Sequence, residues 1–112
     1  MNKREFVTFK IGRNRYRKVF LEEILYLKAD RTYTIVKTSS TELVLSEPLK
    51  IFNPLFANQE VFVRVNRSYI INMQRCVEVK NCTKPEIIME DDEIVYPNTE
   101  ALPQIMDYFD IK

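Results

Sequence analysis

Phe62-Val63-Arg64-Val65-Asn66-Arg67-Ser68-Tyr69-Ile70-Ile71-Asn72 sets two apolar runs on either side of a polar insert. Successive side chains on pleated backbone point to opposite sides, so Val61, Val63 and Val65 share one face of a strand over 61–65, with Phe62, Arg64 and Asn66 on the other. Asn66, Arg67 and Ser68 then interrupt the pattern before a second strand over 68–71, and Asn72 is a turn former. An insert mounted in this way is held rigidly at a sheet end and exposed to a partner. The planar fork of Arg takes a guanine edge or a phosphate, Asn pairs with an adenine edge, and Ser donates to phosphate. The plain alternative is a loop in which Ser68 and Asn72 satisfy backbone groups. Residue chemistry alone leaves these two readings level.

The two-residue period extends outward in both directions. Over 6–11, Val7, Phe9 and Ile11 fall on one face and Phe6, Thr8 and Lys10 on the other, a turn follows at 12–14, and 16–20 returns as the second strand. Residues 24–27 are apolar on both faces, which predicts a strand covered on two sides. A turn at 30–32, strands over 33–37 and 42–45 around the polar turn 38–41, and further strands over 77–80, 86–89 and 94–96 complete the pattern. Two stretches break it. After the start signal Ser46-Glu47-Pro48, Leu49, Phe52, Leu55 and Phe56 follow a helical spacing, and Asn98 is a good N-cap for a helix over 98–109 that Pro103 shortens or kinks. The expectation is a mainly β chain of packed antiparallel sheets with one or two short helices, in a single domain spanning 1–112.

The composition excludes several function classes. There is no His, the commonest general base, and no spacing of carboxylates and serines that suggests a catalytic site, so no enzyme and no cofactor are expected. Cys76 and Cys82 lack the close pairs or His partners of zinc and redox motifs and read as reduced cytosolic thiols, which points to a cytoplasmic chain. The cluster Glu90-Asp91-Asp92-Glu93, between two apolar runs, reads as a charged hairpin turn rather than a cation site. No apolar run is long enough to cross a bilayer. The net charge of +1 hides a segregation: residues 1–18 carry +6 and residues 86–112 carry −7. Such a distribution fits a basic face toward a polyanion and an acidic face toward solvent or another protein, and it equally fits solvated strands of differing composition.

Taken in order, Ile24-Leu25-Tyr26-Leu27 with Tyr33, the amphipathic stretch 49–56, and 62–72 resemble the LytTR family of bacterial DNA-binding domains. That family shows an Ile-Leu-Tyr-Ile strand followed by Tyr, then a helix, then Phe-x-Arg-Val-His-Arg-Ser-Tyr-Ile-Val-Asn. The resemblance covers roughly residues 6–110. It implies an elongated β sandwich whose loops enter successive major grooves of double-stranded DNA, serving as the output domain of a response regulator or other transcription regulator. It also implies an upstream receiver or sensor domain and pairing of two copies on paired half-sites. Positions matching the family's DNA-contacting residues are Arg31 and Tyr33 in the first loop, Arg64, Asn66, Arg67 and Ser68 in the centre, and Tyr96, Asn98 and Thr99 before the last helix. Two departures stand out: Asn66 replaces the usual His, and Glu100 stands where members often place a base. They leave room for a second reading, a LytTR-like protein-interaction module that has drifted from DNA.

Overall fold

Alternating apolar residues fold β1 (Phe6–Gly12) and β2 (Arg15–Phe20) into a hairpin in which Val7 pairs with Val19 and Phe9 with Arg17. The computed structural model describes residues 4–111, so Lys3 and Lys112, which enter the charge of the two ends, lie outside it. Asn14 closes the hairpin with a φ of 57°, a left-handed conformation that Asn tolerates better than most residues.

The centre is a five-stranded antiparallel sheet ordered β5-β4-β3-β7-β6, built from β3 (Ile24–Asp30), β4 (Tyr33–Thr38), β5 (Glu42–Leu45), β6 (Phe62–Arg64) and β7 (Tyr69–Asn72). A smaller sheet, ordered β10-β9-β8, comprises β8 (Cys76–Lys80), β9 (Glu86–Met89) and β10 (Ile94–Val95). Both faces of the central sheet are covered. Leu27, Val36, Phe62 and Ile70 pack with Phe9 and Val19 of the hairpin and with Leu49, Phe52 and Phe56. Tyr26, Val63 and Ile71 turn the other way, onto Ile87 and Met89 of the smaller sheet and Ile105 of the last helix. Burial on two faces is why 24–27 and 69–71 are unbroken apolar runs, as expected of strands buried on both faces.

The strand expected over 61–65 is confined to Phe62–Arg64, and Val61, expected on the face of Val63 and Val65, packs instead against the core that holds Phe62, because it lies outside the regular pleat. Phe62, on the face opposite Val63, is as buried as Val63 because the hairpin layer covers that side as well. In β3 a register shift between Ile24 and Tyr26 sends both Leu25 and Tyr26 to the second core. Residues 48–56 form a 3₁₀ turn, Leu49–Phe52, running into a single turn of α1 (Asn53–Phe56). Pro54 lacks the amide that a continuous helix needs, and Leu55 is left exposed while Leu49, Phe52 and Phe56 are buried. At the C-terminus α2 is confined to Leu102–Tyr108, with Pro103 in its first turn. Asn98 caps the turn ahead of it, its Oδ1 accepting the Ala101 N–H at 2.8 Å. No helix among the described residues is long and apolar enough to cross a membrane.

Candidate nucleic-acid interface

Strand register brings three connections to one end of the central sheet. Asp30 pairs with Tyr33 across the turn at Arg31 and Thr32, Lys28 pairs with Tyr69, and Arg64 pairs with Ile70, so the β3–β4 turn and the β6–β7 loop lie side by side. They are stitched together. The Ala29 N–H donates to the Ser68 carbonyl at 2.8 Å, joining the first loop to the second. The Asn98 N–H donates to the Val65 carbonyl at 2.8 Å, and Asn66 Nδ2 donates to the Tyr96 carbonyl at 2.8 Å, joining the second to the segment before α2. Backbone polar groups at a sheet end are otherwise left to water, so these bonds hold the loops in one fixed relation.

Within the central loop the two arginines do different work. Arg64 is turned inward: Nε donates to the Asn66 carbonyl at 2.8 Å, Nη2 to the Arg67 carbonyl at 2.7 Å and Nη1 to Asn53 Oδ1 at 2.6 Å. Partial burial lowers its affinity for the proton from the usual arginine value. Its guanidinium is a clamp that shapes the loop and ties it to α1. Asn66 is likewise engaged, for its Oδ1 accepts the Ser68 N–H at 2.7 Å while its amide holds Tyr96. Arg67 and Ser68 project from this scaffold and are exposed, as are Arg31, Tyr33, Tyr96, Asn98 and Thr99. Arg31 carries a φ of 58°, an unfavourable conformation for a long side chain without a local hydrogen bond to offset it.

The family model for the LytTr DNA-binding domain matches residues 14–109, a span that contains all three stitched loops. The chain belongs to the LytTr DNA-binding domain family. Among solved structures it is similar to the LytTr DNA-binding domain of a Bacillus cereus protein described as a methyl-accepting/DNA response regulator. That match has a TM-score of 0.72 and 20% identity over 96% of this chain and 98% of that one. At this identity the likeness concerns the fold, which is the same mainly β arrangement. No curated protein matches the chain.

Charge in this LytTr domain is distributed differently from what its linear order suggests. The carboxylates of the β9–β10 turn fold back onto the body: Glu93 accepts from Lys28 Nζ at 3.0 Å and from the Tyr69 hydroxyl, Asp91 accepts from the Tyr26 hydroxyl at 2.7 Å, and Glu90 pairs with Arg75 at 3.2 Å. Burial first, and then the Asp91 hydrogen bond, push the Tyr26 hydroxyl well above the usual tyrosine range. Three of the four carboxylates of the acidic run are therefore engaged by partners on the body, although Glu90 and Asp91 stay exposed. In contrast, among the described residues no ion pair involves Arg31, Arg67 or the hairpin cations Lys10, Arg13, Arg15, Arg17 and Lys18. Lys84, which sequence reasoning did not single out, also reaches this end, its Nζ 4.4 Å from the centre of the Tyr96 ring. Twelve residues separate the two in sequence, and no local pattern marks the contact.

Proposed function

We propose that this LytTr domain binds duplex DNA sequence-specifically, as the output part of a bacterial transcription regulator, with its stitched loops entering successive major grooves. The observation that carries the reading is that Arg31 and Arg67, both exposed and, among the described residues, in no ion pair, stand on loops whose backbones are locked to each other. A guanidinium on a rigid mount is suited to the bidentate contact with a guanine edge, because the loop does not have to be ordered on binding. In this reading Arg67 and Arg31 read bases, Ser68, Tyr33 and Thr99 meet phosphates, and Arg64, Asn66 and Asn98 hold the loops. An upstream receiver or sensor domain would supply the signal, and two copies would occupy paired half-sites.

Glu100 favours the second reading, a protein-interaction module, since an exposed carboxylate beside the last loop opposes phosphates. Selection of binding sites from a pool of random duplexes separates the two. A motif enriched by the domain, with affinity that falls by about a hundredfold or more between low and physiological salt, is the expected result. Failure to enrich any motif would leave the protein-interaction reading standing.

A further inference from the structure

The β1–β2 hairpin holds no acid: between Glu5 and Glu22 every charged residue is basic. Its two ends differ. At the root, cations are covered by aromatic rings, Arg4 lying 3.6 Å from the centre of the Phe20 ring and Lys18 4.4 Å from that of Phe6. At the tip, Lys10, Arg13 and Arg15 are exposed and, among the described residues, form no ion pair. The tip is also placed. Gly12 and Arg13 line a shallow cleft with Tyr33, Val44 and Ser46, which sets the tip beside the first of the three loops, on the β5 side of the sheet and away from Asn66 and Tyr96.

We infer that the tip of the β1–β2 hairpin is a phosphate-binding arm that extends the DNA contact beyond the bases read by the loops, on the flank nearest Tyr33. This rests on the proposed duplex binding and adds to it a site outside the three loops. Three side chains with unpaired positive charge, continuous with the candidate interface, fit a row of phosphates better than a protein surface. Phosphates recur at fixed spacing along each strand and ask for no particular side-chain partner. The arm carries no base-reading geometry: it adds affinity and footprint without adding selectivity.

The test uses the whole chain and a duplex obtained by site selection, in a long form and in a form trimmed on the flank nearest the first loop. The expected result for R13A/R15A is a salt dependence shallower by about two in the log–log slope on the long duplex, with base preference unchanged and little effect on the trimmed one. Lys37→Ala, which removes a charge near the end of β4 opposite Tyr33, in the central sheet, should leave the slope as it is. Hydroxyl-radical protection of the flank should be lost in the double variant. Thermal unfolding at the wild-type temperature shows that the exposed substitutions leave the fold intact. An unchanged slope with motif binding preserved overturns the arm while leaving the proposed function in place. An equal loss on long and trimmed duplexes overturns its flanking position. If the wild-type chain enriches no motif and binds the hairpin's counter-charge only as an acidic polypeptide, the arm falls together with duplex binding.

Discussion

Asn66 Nδ2 lies 2.8 Å from the Tyr96 carbonyl, while the Oδ1 of the same side chain accepts the Ser68 N–H at 2.7 Å. One amide thus fixes the shape of its own loop and the distance to the next. Asn66→Asp keeps the acceptor toward Ser68 and loses the donor toward Tyr96, placing a negative charge against a carbonyl. The expected outcome is a loss of about 1–2 kcal/mol in stability and weaker binding to the selected duplex. Urea unfolding and titration with labelled DNA check it, and wild-type values in both would show that the staple has no part in positioning the loops.

Arg64 and Arg67 should fail in different ways. Arg67→Ala, removing an exposed fork, is expected to cost about 1–3 kcal/mol on the selected site and to relax preference at one base position, with stability unchanged. Arg64→Ala, removing three donors to two carbonyls and Asn53, is expected to cost about 2 kcal/mol in stability and to weaken all duplexes without altering the salt slope. Binding to selected and scrambled duplexes, paired with thermal unfolding, separates them. An equal loss on both duplexes for Arg67→Ala would reduce it to a phosphate contact.

The left-handed backbone at Arg31, φ 58°, is a conformation Gly adopts at no steric cost. Arg31→Gly should therefore raise stability by up to about 1 kcal/mol while lowering DNA affinity. A shift of the urea midpoint upward together with a weaker complex is the expected pair of results. A stability loss would mean that the Arg31 side chain packs usefully in the free domain.

Tyr26, Tyr69 and Lys28 all hold their protons above their ordinary values. For the two tyrosines, burial comes first and then the bond to Asp91 or Glu93; for Lys28 the Glu93 hydrogen bond leads. Raised values mean that the folded chain binds these protons more tightly than the unfolded one. The stabilisation is full below the unfolded values, roughly pH 10, and is lost as pH rises through the folded ones. The urea midpoint should fall steeply above about pH 10, and Tyr26→Phe should flatten that fall. Parallel curves for the two proteins would show that Tyr26 does not carry the effect.

Much of the fold was legible because strand periodicity is a local property. Alternation over 6–11, 33–37 and 86–89 marks β1, β4 and β9 within a residue, and the doubly apolar 24–27 announces a strand buried on both faces. The helices were less legible, since one proline each, Pro54 and Pro103, sets where helical hydrogen bonding begins or ends. Among the candidate site residues, sequence placed Arg64 and Arg67 together as DNA contacts. Three positions apart and identical in type, they differ in that one turns inward onto the Asn66 and Arg67 carbonyls and Asn53, eleven residues upstream, and the other meets solvent.

By itself the sequence determined the mainly β character, the membership signalled by 62–72, and the places where strands give way to polar loops, because alternation and turn chemistry act between near neighbours. Tertiary structure alone decided which charges remain free. The acidic run 90–93, which holds four of the eight acids in residues 86–112, meets Lys28 and Tyr26, each 65 residues away in the chain, while among the described residues the cations of the basic hairpin form no ion pair. Charge neutralisation depends on distance through space, and that distance is set by strand register between remote segments, which no local pattern of residues encodes.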